Sequence, residues 1–171
     1  MLKTIHHWKK MQLVQETTLL PNGITTEHTK IHHPGAAVIL PITDQGQILL
    51  LRQYRPALKK WLLELPAGTR EPGEDFLTCA QRELIEETGY QAKQFESLGA
   101  LTPMAGLCDE IQHLYIATQL QSNATLPKDA DEVIEVEFWS KNELEQAIIS
   151  GEISDAKTLA CLYRASLAKR I

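Results

Sequence analysis

The sequence predicts a mixed α/β fold, with a mixed β-sheet between helices and a small antiparallel β subdomain at the N-terminus. Three observations carry this expectation. Short apolar runs of strand length alternate with helical segments, but without the regular βαβ spacing of a parallel doubly wound sheet. The helical segments are bounded by capping residues. The N-terminal residues show a hairpin pattern around Asn22-Gly23. At 171 residues the chain is long enough to bury one sizeable core.

In order along the chain, Met11 to Leu19 and Ile24 to His32 read as two strands joined at Pro21-Asn22-Gly23, Asn-Gly being the favoured two-residue turn. Residues 1–34 are set apart as a small β subdomain, and Pro34-Gly35 punctuates the chain before a main domain over residues 35–171. Strand candidates follow at Ala36 to Pro41, Ile48 to Tyr54 and Leu62 to Leu65. A helix of about four turns starts at Glu74 or Asp75 and stops at Gly89, with an apolar side of Phe76, Leu77, Ala80 and Leu84. Further strands are expected at Glu96 to Leu101, His113 to Leu120 and Val133 to Trp139. Ser140-x-x-Glu143 is a capping box for a helix near Asn142 to Ile149, and Ser154 or Asp155 caps a last helix reaching about Lys169.

The segment Gly68 to Tyr90, GTREPGEDFLTCAQRELIEETGY, is where the sequence speaks of chemistry. On a helix turning about 100° per residue, Glu83 and Glu87 lie about 40° apart and Glu86 about 60° to the other side of Glu83. Three carboxylates on one arc repel by a few tenths of a kcal/mol per pair, which a bound cation would reverse. All-oxygen donors suit Mg²⁺, or Mn²⁺. The plainer reading is a solvated acidic helix face.

The flanking residues decide between the two. A glycine, five residues, a glutamate, seven residues, Arg-Glu, an aliphatic residue, any residue, Glu-Glu, any residue and a glycine are filled by Gly68, Glu74, Arg82, Glu83, Leu84, Glu86, Glu87 and Gly89. This resembles the signature of the Nudix hydrolases, from which only Tyr90 departs, being aromatic where the pattern is aliphatic. Arg52-Gln53-Tyr54-Arg55-Pro56, Glu64-Leu65-Pro66-Ala67-Gly68 and Asp131-Glu132-Val133-Ile134-Glu135-Val136 extend the likeness to the ADP-ribose pyrophosphatase branch. The resemblance implies a Nudix fold and metal-assisted hydrolysis of a nucleoside diphosphate sugar. It assigns metal binding to Glu83, Glu86, Glu87 and the Ala67 carbonyl, and carboxylate positioning to Arg82 with Glu74 beside it. Glu132 becomes the base, with Asp129 and Asp131 as substitutes. It also implies a homodimer, with the N-terminal subdomain as the dimerisation element.

Substrate contacts are expected from Arg55 and Arg52, which sit close together on one predicted strand and are read as sharing a face, where guanidinium forks suit phosphate. Trp8 as an adenine platform, Glu64 and Gly106 complete that set. Ala105 stands where the branch typically has a proline before the glycine, which leaves GDP-mannose or ADP-glucose as rival substrates, and a non-catalytic nucleotide sensor as a rival class. A net charge of −5 and no run of Lys or Arg argue against a nucleic-acid polymer as partner; Lys9-Lys10 and Lys59-Lys60 read as solvated pairs. His6-His7 and His32-His33 are adjacent pairs, which on a strand point to opposite faces and do not make a metal site. Cys79, Cys108 and Cys161 form no CxxC pattern, which fits a reducing cytoplasm. MLKTIHHWKK lacks the apolar region of a signal peptide, and no stretch approaches the roughly 20 apolar residues of a membrane span.

Overall fold

A computed structural model describes residues 2–122 and 133–171. Strands β1 (Leu2–Trp8), β2 (Met11–Leu19) and β3 (Thr25–His32) form an antiparallel sheet in that order. The expected hairpin is there, with two differences. Its loop has three residues, since Leu20 N–H donates to Ile24 O at 2.8 Å and Gly23 N–H to Leu20 O at 2.9 Å. It also gains β1, every residue of which is exposed, so that no buried face marks it in the sequence.

The main domain continues with β4 (Ala36–Pro41), β5 (Ile48–Arg55), β6 (Lys60–Glu64), β7 (Ala67–Thr69), α1 (Phe76–Thr88), β8 (Tyr90–Leu101), β9 (Gln112–Ser122), β10 (Ile134–Trp139), α2 (Lys141–Ser150) and α3 (Ala156–Leu167). A mixed sheet runs β7-β4-β9-β8, parallel between β4 and β9 and antiparallel elsewhere. A second, antiparallel sheet runs β10-β5-β6.

β4 is buried along its whole length and shows how the layers stack. Its alternate residues face opposite ways. Ala37 and Ile39 pack on Cys79, Ala80 and Leu84 of α1. Val38 and Leu40 pack on Leu50 of β5, Leu144 of α2 and Leu162 of α3. The mixed sheet thus lies between α1 on one side and the second sheet with α2 and α3 on the other. Each fully buried aliphatic side chain contributes about 1.5–3 kcal/mol.

Helix ends follow local chemistry. Asp75 accepts the Thr78 N–H at 2.8 Å and caps α1, and Gly89, in the left-handed region at φ 73°, ends it. Ser140 and Glu143 form the expected capping box of α2, and Asp155 caps α3 through the Thr158 N–H at 2.9 Å. Leu77 departs from the expected apolar side. It is 42% exposed, and the buried stripe of α1 runs instead through Cys79, Ala80, Glu83, Leu84 and Glu87. β8 starts at Tyr90, well before the expected Glu96, because its first half is mostly polar and exposed.

The N-terminal sheet is tied to the main domain through β3: Ile31 N–H donates to Leu107 O at 2.8 Å and Asp109 N–H to Ile31 O at 3.1 Å. At its other end, the Lys9-Lys10 turn between β1 and β2 reaches the main domain, where Lys10 pairs with Glu71. No helix among the described residues is long and apolar enough to cross a membrane.

Candidate active site

β7 and α1 build one corner together. Gly68 sits against the Glu83 carboxyl group so closely that a Cβ on it would lie 1.8 Å from the carboxyl carbon. One residue earlier, the Ala67 N–H donates to Glu87 Oε2 at 2.8 Å. The Pro66-Ala67-Gly68 turn is therefore shaped around the two carboxylates, and it needs a residue without a side chain at its closest approach.

Arg82 organises the rest. Its Nε and Nη2 fork onto Glu74 at 2.9 and 3.0 Å; Nη1 reaches Glu83 at 2.6 Å and Glu86 at 2.8 Å; Nη2 also donates to Thr69 O at 3.2 Å. Five donors meet five oxygens. Glu74 additionally accepts the Glu71 N–H at 2.8 Å, so the guanidinium is anchored to the loop before α1 as well as to the helix. The expected Arg82–Glu86 pair and the supporting place of Glu74 are both present. Arg82 beside it holds the Glu74 carboxyl below the ordinary range. Glu83 goes the other way: burial pushes its carboxyl up to about 7 against the pull of Arg82.

These residues border a cleft of about 370 Å³ lined by Ala67, Gly68, Glu83, Glu86 and Glu87, by Arg55 and Arg82, and by Lys9, Lys10 and Met11 from the N-terminal sheet. Arg55 extends from the end of β5 and forks onto Glu64, both bonds at 2.7 Å. Glu64 is 1% exposed and also takes Lys157 of α3. Burial alone would raise its carboxyl, but Arg55 and Lys157 overcome this and hold it at about 2.

The structure sets four of the expected substrate residues apart from the cleft lining. Glu64 is sealed beneath Arg55 and orients it, with no surface to offer a ligand. Arg52 is three residues from Arg55, which on a strand puts the two on opposite faces. It pairs with Glu137 at 2.5 Å and Glu152 at 3.5 Å, away from the cleft. Trp8 ends β1 just before the lysine turn, 54% exposed, and is not among the cleft-lining residues. Gly106 lines a separate cavity between β3 and the 102–111 loop, with His28 and Lys30. Glu132, Asp131 and Asp129 lie outside the described residues.

Residues 31–161 match the NUDIX domain family. The chain belongs to the Nudix family. It is 37% identical over 151 residues to an ADP-ribose pyrophosphatase of Bacillus subtilis (strain 168), covering 88% of this chain and 82% of that protein. It is also 37% identical over 153 residues to a methanol dehydrogenase activator of Bacillus methanolicus, covering 89% and 83%. A solved structure of an ADP compounds hydrolase superposes with a TM-score of 0.84 at 20% identity, covering 99% of this chain and 91% of that one, which shows a shared Nudix fold. In class the chain is a Nudix pyrophosphohydrolase.

Nudix hydrolases generally use divalent metal ions, and the Nudix corner fits one. Glu83 is buried in a cradle that only Gly68 leaves open, its carboxyl is disfavoured as an anion where it stands, and Glu86 and Glu87 face the same cleft. Hard carboxylate oxygens are the donors such an ion takes. Among the described residues, no three His, Cys, Asp or Glu side chains converge at metal-ligand spacing, since Arg82 holds Glu83 and Glu86 while Glu87 bonds to the Ala67 N–H. Two contributions lay outside the sequence reading: the Lys9-Lys10 turn, placed in the cleft by a pairing with unpatterned β1, and Lys157, which meets Glu64 across 93 residues.

Proposed function

We propose that this cleft hydrolyses the diphosphate bond of ADP-ribose with Mg²⁺, giving AMP and ribose 5-phosphate. The observation that carries the reading is the Nudix corner itself, with Glu83 seated on Gly68 and Glu86 and Glu87 beside it, facing the Arg55 guanidinium across one cleft. The kinship over most of both chains with an ADP-ribose pyrophosphatase supports the choice of substrate.

Glu83, Glu86, Glu87 and the Ala67 carbonyl are the groups that would hold Mg²⁺, which when bound neutralises the diphosphate and makes water a better nucleophile. The chain's own residues divide the remaining work. Arg55, held in place by Glu64, binds the phosphates. Arg82 positions Glu83 and Glu86 through its grip on Glu74. Glu132 accepts the proton of the attacking water, and one phosphate leaves with the sugar as the other stays on AMP.

The N-terminal sheet serves as a homodimer interface in this reading. Leu13 and Leu19 stand exposed on one face of β2, apolar side chains of the kind an interface would cover. The cell interior is the setting, since Cys79, Cys108 and Cys161 are all buried free thiols. A panel of ADP-ribose, ADP-glucose and GDP-mannose assayed with Mg²⁺ tests the substrate. AMP released fastest from ADP-ribose is the expected result, and faster GMP release from GDP-mannose would replace it. Light scattering that returns a monomer mass would remove the dimer.

A further inference from the structure

We propose that Lys9 is a substrate-binding residue, a cation delivered by the N-terminal sheet to the diphosphate; this rests on the reading of the cleft just given. Position is the first ground. Trp8 pairs with Met11, so Lys9 and Lys10 are the two central residues of a tight hairpin, and that turn lines the same cleft as Glu83, Glu86 and Arg55. Lys10 bonds to Glu71, just before α1, which docks the turn at the rim.

The backbone is the second ground. Lys9 has φ 49°, in the left-handed region where a residue bearing a Cβ is strained and where hairpin turns favour glycine or asparagine. A residue held in a disfavoured conformation beside a functional cleft points to a side chain needed there.

Charge is the third. A diphosphate entering the cleft meets four carboxylates, Glu71, Glu83, Glu86 and Glu87, and the Lys9 ammonium adds to the positive charge that Arg55, Arg82 and Lys10 bring to the same lining. A lysine ammonium on a flexible stem suits this, because it can follow the phosphates without demanding one geometry. Lys9 therefore contributes to selecting ligands that carry a diphosphate.

Lys9→Gly separates this role from a structural one, because glycine removes the ammonium and relieves the turn in one change. A residue kept for the fold would lower the melting temperature on removal. A binding residue would leave it equal or higher while weakening ligand binding. The probe is ADP titrated calorimetrically in Mg²⁺, with ADP-ribose turnover measured alongside. The expected result is about tenfold weaker ADP binding, a matching rise in KM with kcat little changed, a gap that narrows as salt is added, and recovery in Lys9→Arg. Wild-type ADP affinity in Lys9→Gly, a loss of affinity accompanied by a large fall in melting temperature, or a wild-type protein that does not bind ADP would each overturn the proposal. A wild-type protein that binds ADP but leaves ADP-ribose intact would instead overturn the substrate reading alone.

Discussion

Adding one methyl group at Gly68 should disable the cleft and leave the fold standing. The Cβ of Gly68→Ala would lie 1.8 Å from the carboxyl carbon of Glu83 and 1.9 and 2.3 Å from its oxygens, whereas ordinary contact begins near 3.4 Å. The carboxyl group must retreat by about 1.6 Å. It is the far end of a flexible side chain beside a cleft, so it can move without displacing the strand or helix. Gly68 is not among the glycines with positive φ, so alanine can adopt its backbone, and the smaller entropy of the unfolded chain offsets part of any crowding by about 0.4–1 kcal/mol. The melting temperature should shift by no more than a few degrees. Activity should not survive so well, since a misplacement of about 1 Å in a catalytic constellation can cost about 10²-fold. Turnover of ADP-ribose at saturating Mg²⁺, with a thermal melt on the same sample, reads both quantities. A Gly68→Ala protein with near wild-type kcat would mean that the Glu83 carboxylate need not stand where the structure puts it.

Arg55→Ala should raise KM for ADP-ribose and also lower the melting temperature, because it strips one cation from buried Glu64; adding Glu64→Gln should recover stability but not KM, and recovery of both would make Arg55 purely structural. Glu64, held at about 2 in the folded protein against an ordinary 4.5, contributes stability that is present above pH 4.5 and lost as pH falls toward 2, on the order of 3 kcal/mol at about 1.4 kcal/mol per pH unit. Acid titration of Glu64→Gln by circular dichroism should therefore lose part of the wild-type slope between those values, and an unchanged slope would count against the buried pairing. Glu132→Gln should lower kcat by about 10² to 10⁴-fold with KM little changed; a larger loss in Asp131→Asn or Asp129→Asn would move the base to that residue.

Much of the site was legible because it is local. Gly68, Glu74, Arg82, Glu83, Glu86 and Glu87 fall within one loop and one helix, where residue spacing fixes direction, and the structure has Arg82 joining Glu86, as their spacing implies, and Glu74 and Glu83 as well. The caps at Asp75, Ser140 and Asp155 are legible for the same reason. What spacing does not carry is which distant strand or helix lies opposite. Glu64 looks like a ligand-facing acid until Lys157 is brought from α3 to meet it. Lys9 and Lys10 look like solvated charges until β1, which has no buried face of its own, pairs with β2 and turns them into the cleft. Arg52 is the contrary case, since strand alternation alone separates it from Arg55.

Glu64 and Glu83 are two buried glutamates on the same side of the molecule, and the protein treats them in opposite ways. Glu64 has the whole fork of Arg55 and a share of Lys157, which also pairs with Asp155, and stays ionised to about pH 2. Glu83 has only a share of Arg82, whose remaining donors serve Glu74, Glu86 and Thr69, and its carboxyl is pushed up to about 7. Burial of both with unequal cation supply separates a fixed anion from an acceptor for further positive charge, and divergent environments of this kind distinguish the roles of paired carboxyls. Glu64 can therefore fix Arg55 at any physiological pH, while Glu83, seated on Gly68 on the buried side of the helix where it borders the cleft, gains most from a cation arriving there. The same reasoning explains why Arg82 leans on Glu74. A guanidinium bound to Glu83 and Glu86 alone would move with them, whereas the fork onto Glu74 keeps it in place when those two carboxylates turn toward an incoming ion.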